Sequence, residues 1–275
     1  MHYLKFKKEQ TGPCNICGKI ERLTWDHVPP KGGQLFNDIE QESILQYLVG
    51  SEKRKYQFSQ NGVKYRTICG DCNNALLGAK CDPVLNELAS DVMLMIKTRL
   101  LLPNTTMMVR TKPALICKAL LGHMLSATGD FGVSKIDEEF REYVLDDLMV
   151  IPKGIKIFYW VYPYMSLKVI RDVGMPQFRG DWADFKRGDF GIFSLMKYPP
   201  IGYMAVNLDS YEGLDELTQY CGNSTDDEVE IPVRLNETKP EYWPEAGDDT
   251  FLMGGNGLGT GVSARPRNFR KNSIR

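Results

Sequence analysis

Long apolar runs are missing from this chain of 275 residues: the richest stretches, Val92–Ile96 with Leu100–Leu102 and Ala114–Leu121, are broken by Lys97, Arg99 and Lys118. Neither approaches the ~18 apolar residues that a membrane-spanning helix needs. Met1–Lys8 carries lysines with no apolar run behind them, so no secretory signal is expected and the compartment read from this is the cytoplasm. Residues 104–250 hold no phosphate-binding glycine loop, dinucleotide fingerprint or hydrolase elbow. A net charge is also missing, with 34 basic against 35 acidic side chains. That balance is an average: residues 209–249 hold 13 acidic and 2 basic groups, and residues 254–275 hold 5 basic and no acidic ones. Local charge governs partners, because fields are screened within ~8–10 Å.

What is present is an ordinary globular composition, 43% hydrophobic and 25% charged, at a length suited to one or two domains. Among 7 cysteines, Cys14-Asn15-Ile16-Cys17 and Cys69-Gly70-Asp71-Cys72 form two Cys-x-x-Cys pairs. A two-residue gap lets two thiolates on one tight turn reach one ion, and two such knuckles supply a closed tetrahedral set for structural Zn²⁺. A redox pair would need only one motif, and coincidental buried thiols are the remaining alternative. Reduced surroundings favour metal over disulfide at this spacing. Gly18 and Gly70 fall where knuckle turns use a positive φ or a close backbone approach. Cys81, Cys117 and Cys221 have no partner at ligand spacing and read as small buried hydrophobes.

Of the three histidines, His2 lies in the terminal segment and His123 on an apolar helical stretch, where it reads as a packed residue. Only His27 has a distinctive setting, in Leu23-Thr24-Trp25-Asp26-His27-Val28-Pro29-Pro30-Lys31-Gly32-Gly33. Leu23–Trp25 favour a strand that the prolines and glycines must end. Asp26 and His27 thus sit at a strand end, an oxygen ligand beside a group that accepts protons near neutral pH. Neighbouring strand residues face opposite ways, so a bulge or twist is needed for both to serve one site. After the second knuckle, Asn73-Asn74-Ala75-Leu76-Leu77 favours a helix beginning near Cys72, which holds Asn73 beside a metal ligand.

The order Cys-x-x-Cys, Asp-His-x-x-Pro, Cys-x-x-Cys-Asn resembles the zinc-stapled branch of the HNH endonucleases, over about residues 10–82. The resemblance implies a ββα-metal, treble-clef-like nuclease unit. In it Asp26 and Asn73 would ligate a catalytic Mg²⁺ or Mn²⁺, His27 would activate water, and Cys14, Cys17, Cys69 and Cys72 would hold zinc apart from the chemistry. The family's central Asn has no counterpart in Val63-Lys64-Tyr65-Arg66-Thr67-Ile68, and the nearest candidate, Asn61, is displaced. Lys31, Lys64 and Arg66, with Lys53–Lys55, are candidates for phosphate contacts.

Between the knuckles, residues 37–49 have an amphipathic helical pattern. Further helices are expected from Asp82, as cap, to 102, over 113–127 and over 137–148. Strands are expected at 155–163, 166–173, 190–198 and 201–208, with aromatics such as Tyr159, Trp160 and Phe193 filling a core. Residues 222–249 are acidic and hold Pro232, Pro240 and Pro244, so part of the stretch reads as exposed loop. The expected fold is therefore α+β: a nuclease unit with its linking helix (1–103), a helical then β-rich region (104–250), and a flexible basic tail (251–275). The expected function is metal-dependent cleavage of nucleic acid, DNA by family analogy, with defence against foreign DNA as one setting. Residues 104–250 would recognise substrate, bind an activating ligand or engage a protein partner. The competing reading is a non-catalytic zinc adaptor that binds nucleic acid or protein.

Overall fold

The computed structural model describes residues 9–33, 38–50, 55–98, 106–129, 131–132, 135–146, 151–152, 154–176, 190–207, 214–246 and 261–267. Lys53, Arg54, the glycine run 254–260 and Arg270, Lys271 and Arg275 lie outside them. The architecture is mixed α+β. Its first part is a three-stranded antiparallel sheet of β1 (Thr11–Pro13), β2 (Ile20–His27) and β5 (Lys64–Cys69), in that order. From β5 the chain enters a π-helix, Asp71–Cys81, which runs directly into α2 (Asp82–Thr98). The helix thus starts where the sequence pattern placed it. Asp82 is not its cap: it lies inside continuous helix, its N–H bonded to Leu77 O five residues back.

The insertion between the knuckles departs from expectation. In place of one helix over 37–49 there is a strand, β3 (Asp38–Ser43), then a short α1 (Ile44–Val49) and β4 (Gln57–Gln60). The reason is tertiary. Ile39 through Ser43 are all buried, because β3 lies between β4 and a strand from the far end of the chain, and such pairing overrides a weak local helical pattern.

That partner is β13 (Val262–Pro266), which corrects the expectation of a flexible arm in this part of the tail. Val262 and Ala264 enter the core, and Arg265 Nε donates to Glu40 Oε1 at 2.8 Å. β13 stands inside an eight-stranded sheet ordered β11 (Asp215–Glu216), β7 (Lys156–Val161), β10 (Ile201–Val206), β9 (Phe190–Tyr198), β8 (Leu167–Pro176), β13, β3, β4. All three segments expected as separate units contribute strands to this one sheet.

Both faces of the sheet are covered, which is why its strands read as nearly continuous apolar runs. Ile157, Tyr159 and Tyr203 belong to the core containing the helices, while Phe158, Trp160, Leu195 and Met204 form a second core with Ile44. At the centre lies α3 (Pro113–Ser126), buried along its whole length, with α4 (Lys135–Leu145) against it. A helix apolar all round belongs inside a protein. Gly122 lets α3 approach the π-helix, since a Cβ there would lie 2.5 Å from Leu77 Cδ2.

A two-stranded ribbon pairs β6 (Thr106–Thr111) with β12 (Val229–Arg234), which gives the acidic stretch one strand among its turns. Glu245, from the same stretch, is buried between Lys168 and Lys197 at 2.6 and 2.7 Å. Among the described residues no helix is long and apolar enough to cross a membrane.

Candidate functional site

The two knuckles meet. The sulfur atoms of Cys14, Cys17, Cys69 and Cys72 all lie within 4.8 Å of one another. A tetrahedron with ~2.3 Å arms has edges of about 3.8 Å, and Cys17 Sγ and Cys69 Sγ are 3.8 Å apart. Each knuckle is built locally. Cys14 N–H donates to Lys19 O and Gly18 N–H to Cys14 O, both at 2.9 Å, with Gly18 at φ 73°. Gly70 needs no such freedom; its φ is −61°, the helical value, because it opens the π-helix. Cys69 N–H donates to Cys14 Sγ at 3.3 Å. A hydrogen bond from the Cys72 thiol, with backbone amides adding to it, pulls Cys14 down to about 4. Burial pushes Cys69 up to about 11, and donation to Cys14 raises Cys72. Sulfur so crowded becomes fully thiolate only with a cation among the four atoms, and the cluster could hold one.

The cluster fixes β2 against the start of the π-helix, and Asn73 completes the join. Its Nδ2 donates to Thr24 Oγ1 at 3.0 Å and to Trp25 O at 2.9 Å. Asn73 is therefore tied to the backbone one residue before Asp26. Asn61, the displaced candidate, sits instead in the turn before β5 with φ 63°.

β2 pairs with β5 so that Trp25 opposes Arg66, Asp26 opposes Tyr65 and His27 opposes Lys64, with a register shift between Thr24 and Trp25. The shift precedes Asp26, so Asp26 and His27 keep the ordinary alternation, and no bulge between them brings both side chains to one face. Asp26 points into the protein, while His27 stays half-buried on the outer face with Trp25. Trp25 is 47% exposed, unusual for so large a ring, and the Arg66 guanidinium lies 5.5 Å from its centroid. Burial, then the charge of Lys64, holds His27 below its ordinary value, with Lys31 acting the same way and Asp26 opposing. At neutral pH this imidazole is neutral and can accept a proton. Lys31, Lys64 and Arg66 are thereby gathered around His27 and Trp25.

The inward turn of Asp26 ends at a residue that sequence reasoning took for simple packing. His123, 0% exposed on α3, places Nδ1 3.0 Å from Asp26 Oδ2 and Nε2 2.8 Å from Asp82 Oδ1. Burial alone would strip the ring of its proton, but the two carboxylates outweigh it and lift His123 to about 10. It is therefore an imidazolium donating from both nitrogens. The carboxylates lie on opposite edges of the ring and share no centre with it. Among the described residues, the four cysteines are the one group of three or more His, Cys, Asp or Glu side chains close enough to hold a metal ion. A usable signal was the position of a titratable side chain on the buried, mostly apolar α3, since a buried polar group needs partners. Asp82-Pro83 hid the second partner by looking like a helix start.

The knuckle unit also caps α3. Asn15 Nδ2 donates to Leu125 O and Thr128 O at 2.9 and 2.7 Å, and Thr67 Oγ1 donates to Ser126 O at 2.6 Å. Helix C-terminal carbonyls lack intrahelical partners, and here the first unit supplies them. Comparison of the chain with protein-family models, curated proteins and solved structures gave no match.

Proposed function

We propose that this chain is a divalent-metal-dependent nuclease of the HNH type that hydrolyses phosphodiester bonds, with DNA as substrate and Zn²⁺ as its structural ion. One observation carries the reading. The four-cysteine cluster joins the strand that ends in Asp26-His27 to the π-helix that starts at Asp71 and carries Asn73, and Asn73 is bonded to the backbone beside that pair. The antiparallel pair of β2 and β5, followed by such a helix, supports a ββα-metal unit.

Two oxygen donors, one on each side of the join, are available to a hard cation. Asp26 Oδ1 takes no hydrogen bond among the described residues, its Oδ2 alone being engaged by His123. Both bonds of Asn73 leave from Nδ2, so Oδ1 keeps its lone pairs. Hard divalent cations favour oxygen ligands and keep several waters, so two protein ligands suffice. When bound, Mg²⁺ or Mn²⁺ offsets charge on the phosphoryl and leaving oxygens. His27, neutral and half-buried, takes the proton from the attacking water. Lys31, Lys64 and Arg66 offset phosphate charge on the face that carries His27, and Trp25 offers a stacking surface there.

A second reading, a non-catalytic zinc adaptor, draws on the burial of Asp26 against His123. Plasmid and RNA incubated with the protein in Mg²⁺, Mn²⁺ or chelator separate the two. The nuclease reading expects divalent-dependent nicking that His27→Ala reduces by ~100-fold or more, the range for loss of a general base, with zinc content unchanged. Zinc occupancy with no cleavage under any divalent ion favours the adaptor.

A further inference from the structure

The link between Asp26 and α3 assigns a task to the region beyond the knuckle unit. We propose that His123 is a positioning residue that presents Asp26 to the divalent cation, with Asp82 holding His123 in turn, so that residues beyond the nuclease unit complete its site. This rests on the nuclease reading above. A carboxylate that ligates a metal must be stopped from rotating, and a hydrogen bond to one oxygen does so while leaving the other to coordinate. His123 Nδ1 sits 3.0 Å from Asp26 Oδ2, and Oδ1 is the atom left over. The ring itself is stopped from turning by Asp82 Oδ1, 2.8 Å from Nε2. Its helix is pinned to the same unit by Asn15 and Thr67, which take up the carbonyls of Leu125, Ser126 and Thr128. Gly122, beside His123, allows the close approach to the π-helix that brings Asp82 within reach. Strand, helix and imidazole therefore form a closed loop of contacts through Asp26, and the isolated segment 10–82 lacks its α3 member.

Two amide substitutions dissect the ring. In H123N the side-chain nitrogen takes the place of Nδ1 and can still donate to Asp26, while the contact with Asp82 is lost. In H123Q the nitrogen takes the place of Nε2, which keeps Asp82 and abandons Asp26. A merely structural role makes the two equivalent, since each removes one buried bond and the positive charge. Mn²⁺ binding to the full chain, followed by the electron paramagnetic resonance of free Mn²⁺, reads the site without reference to cleavage, with zinc content and thermal midpoint measured alongside. D26N defines the signal that belongs to this site.

The expectation is that H123Q raises the Mn²⁺ dissociation constant by ~10- to 100-fold, the usual cost of losing a residue that orients a ligand. H123N stays within a few-fold of the unsubstituted protein. Equal constants for the two variants, or an H123Q value matching the unsubstituted protein, overturn the positioning role and leave the nuclease reading standing. Absence of any Mn²⁺ binding sensitive to D26N removes both. Should H123Q not fold, Asp82→Ala takes its place, at a residue that is 16% exposed and separated from Asp26 by the ring. A severalfold rise in the constant supports the relay, and an unchanged constant overturns it.

Discussion

Replacing His123 by leucine tests the electrostatics at the centre of the molecule. The substitution keeps an apolar side chain of similar size in α3 but removes the cation between Asp26, whose side chain is 4% exposed, and Asp82, at 16%. Breaking a buried pair by deleting one partner costs about 3–5 kcal/mol, because the remaining charge stays desolvated. A second route gives a similar size. An imidazole lifted from 6.5 to about 10 holds its proton more tightly in the folded state by about 5 kcal/mol. The sign follows from the folded value lying above the unfolded one. The stabilisation is fully present below pH ~6.5 and is lost as pH rises through ~10.

Urea unfolding of the unsubstituted protein and of His123→Leu, measured at pH 6 and again above pH 10, should therefore show a wide gap that closes at the alkaline end. Adding Asp26→Asn to His123→Leu should recover a good part of the loss, because the more deeply buried of the two unpaired carboxylates is then uncharged and only Asp82, at 16% exposure, remains. A gap below ~1 kcal/mol at pH 6, the size expected of an exposed pair, or one that widens with pH, refutes the imidazolium.

Four further outcomes follow from the geometry. Cys72→Ser should abolish stoichiometric zinc, measured by metal analysis, and lower the unfolding midpoint, because a closed tetrahedral site loses one ligand of four. Trp25→Ala should weaken nucleic-acid binding in chelator by ~5- to 100-fold, the worth of one stacked base. Lys64→Ala should instead lower the salt dependence of binding by about one unit of slope, read by fluorescence anisotropy across salt concentrations. Glu245→Gln leaves Lys168 and Lys197 buried without their shared carboxylate, and should cost about 3–5 kcal/mol in denaturant unfolding without change in zinc content.

Local pattern carried much of the fold. The helix over 113–126, the helix beginning at the second knuckle and the strands at 156–161, 190–198 and 201–206 all stand close to where periodicity and composition put them. These elements are long, apolar and punctuated by proline or glycine, so their local preferences agree with their final surroundings. The convergence of the four cysteines was legible for a different reason: two-residue spacing is a covalent constraint on which atoms can share one ion.

Three things depended on contacts between residues far apart in sequence. β3 is a strand because β13 arrives beside it from more than 200 residues away, and Arg265 meets Glu40 there. Glu245 is buried because two lysines from neighbouring strands of the large sheet converge on it. Asp26 faces inward because His123 and Asp82 complete a charge network drawn from three separate elements. Spacing along a chain specifies which groups one turn or one helix face can gather. It does not specify which distant charge will neutralise a buried one, because that depends on the three-dimensional field into which each side chain is packed. The sequence by itself therefore determined the four-cysteine cluster and the central helices, whereas tertiary packing alone decided that a helix from beyond the knuckle unit would reach back to Asp26.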